Sequence, residues 1–169
     1  MEDKKTAIIK LLVLDVDGVM TDGRIFIDAR GEEIKCFNVR DGLGLRLLMT
    51  AGIEVVIITG RESNSLAYRA KELRIREVYQ GVNDKGALFA ELMRRKKLKK
   101  EQVCCIGDDL PDLPLFHLAG VPIAVADAAA EVRNAASYIT KNRGGNGAIR
   151  EVCEMILKAQ KRWPHDHPF

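Results

Sequence analysis

Asp15 and Asp17 stand two residues apart, directly after the apolar run Leu11 to Leu14 and just before Gly18. Carboxylates at this spacing can approach one point, and the glycine lets the backbone turn away without steric cost. Close carboxylates repel, which raises their pKa values unless a cation stands between them. A hard divalent ion such as Mg2+ answers that need. Taken alone, an Asp-x-Asp pair at a strand end serves equally well as a helix cap or a turn former. Three more pieces follow in order along the chain. Ile57-Ile58-Thr59-Gly60-Arg61 ends an apolar run in a hydroxyl, Asp84-Lys85 supplies a lysine, and Cys105-Ile106-Gly107-Asp108-Asp109 ends another apolar run in acids.

The elements that must position these groups can be read from the apolar patterning. Four consecutive aliphatic residues at 11–14 cannot share one face of a strand, so both faces are expected to be covered, as in the centre of a parallel sheet. Residues 53–58, 103–106 and 121–125 repeat that pattern, with short strands at 78–79 and 138–140. Helices are expected over about 43–50, 63–73 with Ser63 as N-cap, 85–96, 111–119, 128–136 capped by Asp127, and 148–161. Repeated β-α alternation predicts an α/β, doubly wound, Rossmann-like parallel sheet, whose carboxyl edge is where ligands bind. Residues 24–28 and 33–39 read instead as a β-hairpin around Ala29-Arg30-Gly31-Glu32, inserted between the first strand and its helix. One domain is expected over 1–162, with a flap at about 24–39 and a flexible tail at 163–169.

Composition narrows the class. A chain of 169 residues, 47% hydrophobic and 30% charged, matches an ordinary globular domain. No apolar run approaches the ~20 residues that span a bilayer, and the first residues lack a signal core, so a cytoplasmic protein without membrane association is expected. A net charge of +3 gives no footprint for nucleic acid. The basic run Arg94 to Lys100 suits a solvated helix C-terminus. The four cysteines show no C-x-x-C spacing, which argues against zinc and a disulfide framework. The glycines of Arg143 to Gly147 do not match a dinucleotide fingerprint and predict either a flexible turn or a close backbone approach.

The ordered set of Asp-x-Asp, Thr59, Lys85 and the acidic pair resembles the haloacid dehalogenase-like phosphatases over about residues 9–151. That resemblance implies roles at matching positions. Asp15 would be the nucleophile and Asp17 the general acid/base. Mg2+ would be held by Asp15, the backbone carbonyl of Asp17, and Asp108. Thr59, the Gly60 amide and Lys85 would balance charge on the phosphoryl oxygens, while Asp109 and Asp112 would orient Lys85 or a metal water.

Members of this family differ mainly in what covers the core, and neither place for a cap domain holds one here. The chain is therefore similar to the capless branch, in which hairpins pack subunits into homotetramers. Within that branch, the stretches Asn38 to Gly44, Thr59 to Arg61, Arg69, Ala124 to Ala128 and Gly144 to Glu151 resemble members acting on the sugar-acid phosphate 3-deoxy-D-manno-octulosonate 8-phosphate, a step toward lipopolysaccharide. Arg61 and Arg69 would meet the substrate's carboxylate and hydroxyls, with Arg40 and Asp41 as further contacts. The resemblance also has the C-terminal glycine loop closing a site, its own or a neighbour's. Three other functions are set against this one. Nine-carbon ulosonate 9-phosphates would suit a close relative, although those relatives tend to carry an acid where Arg61 stands. A phospho-accepting receiver would place its lysine last, whereas Lys85 precedes Asp108. A non-catalytic assembly module would be favoured by loss of Asp17, which is present.

Overall fold

Leu11, Leu12, Val13 and Leu14 are each completely buried, as an unbroken aliphatic run requires in a sheet covered on both faces. The computed structural model describes residues 2–163. A short helix α1 (Glu2–Thr6) leads into β1 (Leu11–Leu14). The hairpin β2 (Phe26–Ile27) and β3 (Glu33–Ile34) follows, then α2 (Val39–Thr50), β4 (Glu54–Ile58), α3 (Asn64–Leu73), β5 (Glu77–Tyr79) and α4 (Lys85–Lys96). The remainder is β6 (Val103–Gly107), α5 (Leu113–Leu118), β7 (Val121–Ala124), α6 (Ala130–Ala135), β8 (Tyr138–Ile139) and α7 (Ala148–Ala159).

Six strands form one sheet in the order β5-β4-β1-β6-β7-β8, every neighbouring pair parallel. The chain winds outward from β1 in one direction and then in the other, so the switch point lies between β1 and β6. Register sets Leu14 beside Ile57 on one side and Ile106 on the other. The residues that follow these three strands therefore leave the sheet side by side. Helices flank the sheet, α2 packing on α7 and α4 on α5. On α7 the buried positions Ile149, Val152, Cys153, Ile156 and Leu157 recur at helical spacing and make one apolar stripe against the core.

Several boundaries differ from the sequence expectations, each for a local reason. The strands of the hairpin are two residues each, shorter than the 24–28 and 33–39 expected. Helix α2 starts at Val39 because the Asn38 side chain accepts the N–H groups of Arg40 (2.8 Å) and Asp41 (3.3 Å). That places Arg40, Asp41 and Gly42 inside the helix instead of before it. Asp127 does not cap α6; its carboxylate accepts the N–H of Gly144 at 3.0 Å. The helix expected at 111–119 opens as a 3-10 turn over Leu110–Asp112. The expected tail begins with Trp163, yet this ring lies under the Arg150 guanidinium (4.8 Å) and the Lys158 ammonium (5.4 Å). The rest of that tail, 164–169, lies outside the described residues.

Candidate active site

The loop leaving β1 is wound around one carbonyl. Val16 O accepts the N–H groups of Val19 (3.2 Å), Met20 (2.8 Å) and Thr21 (3.1 Å), turning the chain sharply after Asp17. Gly18 adopts φ of 88°, and a Cβ there would stand 2.0 Å from Asp108 Oδ2. Glycine is thus required twice over, by backbone conformation and by the approach of the β6 loop.

Lys85, the first residue of α4, is buried and donates to Asp15 Oδ1 and Asp112 Oδ1, both at 2.7 Å. Asp84 caps α4 by accepting the N–H of Ala87 at 2.9 Å, which fixes where Lys85 emerges. The second oxygen of Asp112 accepts the N–H of Asp108 at 3.0 Å. Asp112 therefore ties the lysine to the loop after β6, while Asp109 turns to the N–H of Leu110 at 2.8 Å. Thr59 is buried at the end of β4, and with Gly60 and Arg61 it lines the same cleft of about 720 Å3 as Asp15, Lys85 and Asp108.

Electrostatics here are dominated by crowded acids. Ligand oxygens of Asp15, Asp108 and Asp112 all lie within 4.8 Å of one another. Burial, followed by the charges of Asp112, Asp15 and Asp109, pushes the Asp108 carboxyl up to about 8 against the pull of Lys85. Burial and Asp112 likewise raise Asp15, while Lys85 opposes them. Burial works against the charge on Lys85, but Asp112 and Asp15 outweigh it and hold the ammonium above its ordinary pKa. Repelling hard-oxygen donors at such separations are what a divalent cation relieves, so the residues fit Mg2+.

Asp17 meets partners that the sequence did not point to. Lys35, from just beyond β3, pairs with Asp17 Oδ1 and stands 2.9 Å from Glu33 Oε1. Arg61 Nη2 donates to Glu33 Oε2 at 2.5 Å, and Arg61 Nε stands 3.6 Å from Asp17 Oδ2. That second oxygen of Asp17 is buried and accepts no hydrogen bond among the described residues. The available signal was the i, i+2 spacing of Glu33 and Lys35, which sends both side chains to one face of a strand.

Other expected contacts lie elsewhere. Arg40 lines a separate groove of about 750 Å3 with Lys141, Asn146 and Arg150, which contains none of the cleft's acids. Asp41 is buried and accepts the N–H groups of Gly147 (3.2 Å) and Arg150 (2.7 Å), so α2 caps the start of α7. Burial raises its pKa, and those two N–H groups oppose the rise. Arg69 donates to Glu72 (2.7 Å) and to the Asn38 carbonyl (3.4 Å), and packs near Phe37, bracing α3 against the start of α2. Neither Asp41 nor Arg69 lines the cleft of Asp15. The C-terminal glycine loop reaches its own chain: Gly145 N donates to Val19 O at 2.9 Å, directly behind the Asp15 loop.

A family profile of haloacid dehalogenase-like hydrolases matches residues 75–152. The chain is 48% identical over 159 residues to the 3-deoxy-D-manno-octulosonate 8-phosphate phosphatase KdsC of Yersinia pestis, covering 94% of this chain and 85% of that protein. The solved structure of the Yersinia pestis phosphatase superposes with a TM-score of 0.94 at 47% identity, over 96% of this chain and 88% of the other. That of the Moraxella catarrhalis phosphatase, in complex with magnesium ion, phosphate ion and the sugar acid KDO, gives 0.93 at 44% identity, over 96% and 93%.

Proposed function

Because this chain belongs to the haloacid dehalogenase-like hydrolases, among the 3-deoxy-D-manno-octulosonate 8-phosphate phosphatases, we propose that it hydrolyses that sugar-acid phosphate through an aspartyl-phosphate. The observation that carries this reading is the convergence of Asp15, Lys85 and the acids after β6 at the switch point of the sheet. Phosphoryl transfer asks a protein chiefly for positioning and charge stabilisation. Asp15 attacks phosphorus in line, and the ester P–O bond breaks as Asp17 hands a proton to the departing alkoxide. Asp17 then takes a proton from water, whose oxygen attacks phosphorus and frees Asp15 and inorganic phosphate. The Oδ2 of Asp17, which accepts no hydrogen bond among the described residues and has Arg61 Nε 3.6 Å away, is the atom suited to both proton movements.

Thr59, the Gly60 amide and Lys85 neutralise the phosphoryl oxygens, and Asp112 holds Lys85 toward Asp15. Mg2+ would be held by the Asp15 carboxylate, the Asp17 backbone carbonyl and Asp108. When bound, it supplies charge neutralisation and orientation for the phosphoryl group. Arg61, half exposed at the rim, is the cation placed for the substrate's carboxylate.

Ile25, Phe26, Ile27, Ile34 and Val39 are all exposed on and beside the hairpin. An apolar surface of this kind on a soluble enzyme marks a subunit contact, and a homotetramer joined by hairpins accounts for it. Arg40 and Arg69 would then act across that contact and not in their own chain's cleft. No helix among the described residues is long and apolar enough to cross a membrane. We place the enzyme in the cytoplasm, on the route to lipopolysaccharide.

The test is phosphate release with Mg2+, comparing 3-deoxy-D-manno-octulosonate 8-phosphate with a nine-carbon ulosonate 9-phosphate at equal concentration. Strong preference for the eight-carbon ester is expected. Preference for the nine-carbon ester overturns the substrate and leaves the chemistry, whereas silence on both overturns the phosphatase itself.

A further inference from the structure

Four alternating charges run from the hairpin into the cleft, and the mechanism above uses only the two at its inner end, Asp17 and Arg61. Lys35 is almost wholly buried, its side chain 2% exposed, between Asp17 and Glu33. Glu33, 16% exposed, joins Lys35 through Oε1 and Arg61 through Oε2. Its backbone is held separately, since Ser65 Oγ donates to the Glu33 carbonyl at 3.0 Å. The position of the residue therefore does not depend on its carboxylate. Burial would raise the pKa of Glu33, yet the donors of Lys35, Arg61 and Ser63 beside its carboxylate, with the charge of Lys35, bring it down to about 2.

We infer that Glu33 is a specificity-determining residue: its carboxylate is an internal anion seated on Arg61, which the acid group of a substrate must displace. The inference rests on the reading that Arg61 meets the substrate's carboxylate. Arg61 has one guanidinium edge on Glu33 and lines the cleft as well, so an incoming carboxylate competes for the same donors. A monofunctional anion must win that competition from bulk solution. A sugar-acid phosphate, already anchored near Thr59 and Lys85, presents its carboxylate at high effective concentration. Glu33 thus weakens binding of all acids at Arg61 while leaving bifunctional esters able to engage it, a repulsive element that sharpens selection.

The experiment compares wild type with Glu33→Gln, which keeps the shape and removes the charge, and with Glu33→Ala, which removes the contact. For each, kcat/KM is measured with 3-deoxy-D-manno-octulosonate 8-phosphate and with p-nitrophenyl phosphate, which has no carboxylate. The affinity for phosphate-free 3-deoxy-D-manno-octulosonate is measured by calorimetry. Both variants are expected to shift the ratio of the two kcat/KM values toward the acidic ester by about fivefold, through KM, and to tighten the sugar acid by at least as much. An unchanged or reversed ratio with unchanged or weaker sugar-acid binding overturns the inference, as does a sugar acid that binds none of the three proteins. If wild type releases phosphate from neither ester, the phosphatase reading fails by itself, and the calorimetric comparison still decides the role of Glu33.

Discussion

Gly144 packs against Gly18 so closely that a Cβ at Gly144 would stand 1.7 Å from the Gly18 carbonyl oxygen. The two loops are backbone against backbone, and the next residue, Gly145, would drive a Cβ to 2.5 Å from Asp22 N. Gly144→Ala must therefore push the loop carrying Asp15 and Asp17 or tear the C-terminal loop away from it. Overpacking of this kind costs about 1–3 kcal/mol, and misplacing reacting groups by an ångström lowers turnover on the order of a hundredfold. The expected result is a folded protein, by circular dichroism, whose kcat falls on that scale. Near-normal kcat would show that the contact does not position the loop.

This relationship marks where sequence reasoning stopped. Asp15 and Thr59 were legible because each directly follows an apolar run, Asp108 because it comes one glycine after another, and Lys85 because it opens a helix; a parallel sheet sends such ends to one edge. The helix cap at Ser63 was equally local, whereas the sequence marked Asp84 only as the residue introducing Lys85, and its capping of α4 came from the structure. The glycine density at 143–147 signalled close approach, but nothing in it named the Asp15 loop as the partner. Asp41 and Asp127 resisted for a similar reason: Asp41 was expected to meet substrate and Asp127 to cap its own helix, yet each hydrogen-bonds N–H groups about a hundred (Asp41) or seventeen (Asp127) residues away. A helix end can be capped from another element, and only tertiary structure says which.

Glu151 anchors the other end of the glycine loop, accepting the N–H groups of Lys141 (2.9 Å) and Asn142 (3.1 Å), the Tyr138 hydroxyl (2.8 Å) and the Asn142 side-chain amide (2.7 Å). Burial alone would raise its pKa, but these donors outweigh burial and hold it below the ordinary value of 4.5. A carboxylate depressed in the folded state binds fewer protons there than in the unfolded chain, so its stabilisation is full above pH 4.5 and fades as pH falls through the folded value. Glu151→Gln should cost about 1 kcal/mol in urea denaturation at pH 7, with the gap to wild type closing as the solution is acidified below pH 4.5. A gap that stays constant with pH would show that the charge contributes nothing.

The crowded acids at Asp15, Asp108 and Asp112 predict a stability signature for metal. Mg2+ at a hundred times its Kd should stabilise the wild type by about 2.7 kcal/mol, read as a rise in Tm. Asp108→Asn removes a carboxyl whose ionised form burial and the neighbouring acids disfavour, so the metal-free protein should hold or gain Tm while the response to Mg2+ shrinks. Equal Mg2+ responses in the two proteins would remove Asp108 from the metal site.

Asp15→Asn keeps the size of the side chain and an oxygen for Lys85 while removing the nucleophile. Turnover should fall by on the order of 10⁴-fold or more, with no phosphate bound covalently after acid quenching. Because burial and Asp112 disfavour the Asp15 charge, the metal-free variant should melt no lower than wild type. Substantial turnover by this variant would take the nucleophilic role from Asp15.

The hairpin offers the last test, because its exposed apolar side chains touch nothing in the cleft. Phe26 is 49% exposed and Ile27 66%, and neither lines the site, whereas Glu33 on β3 and Lys35 just beyond it do reach Arg61 and Asp17. A double substitution, Phe26→Lys with Ile27→Lys, places like charges where neighbouring hairpins would meet, a juxtaposition costing several kcal/mol across a contact. Sedimentation should show a tetramer for wild type and smaller species for the variant. If the variant remains a tetramer, the hairpin is not the contact; if it dissociates, loss of activity against the sugar-acid ester beyond that against p-nitrophenyl phosphate would show that a neighbouring subunit helps to recognise the acid, which is the route left open for Arg40 and Arg69.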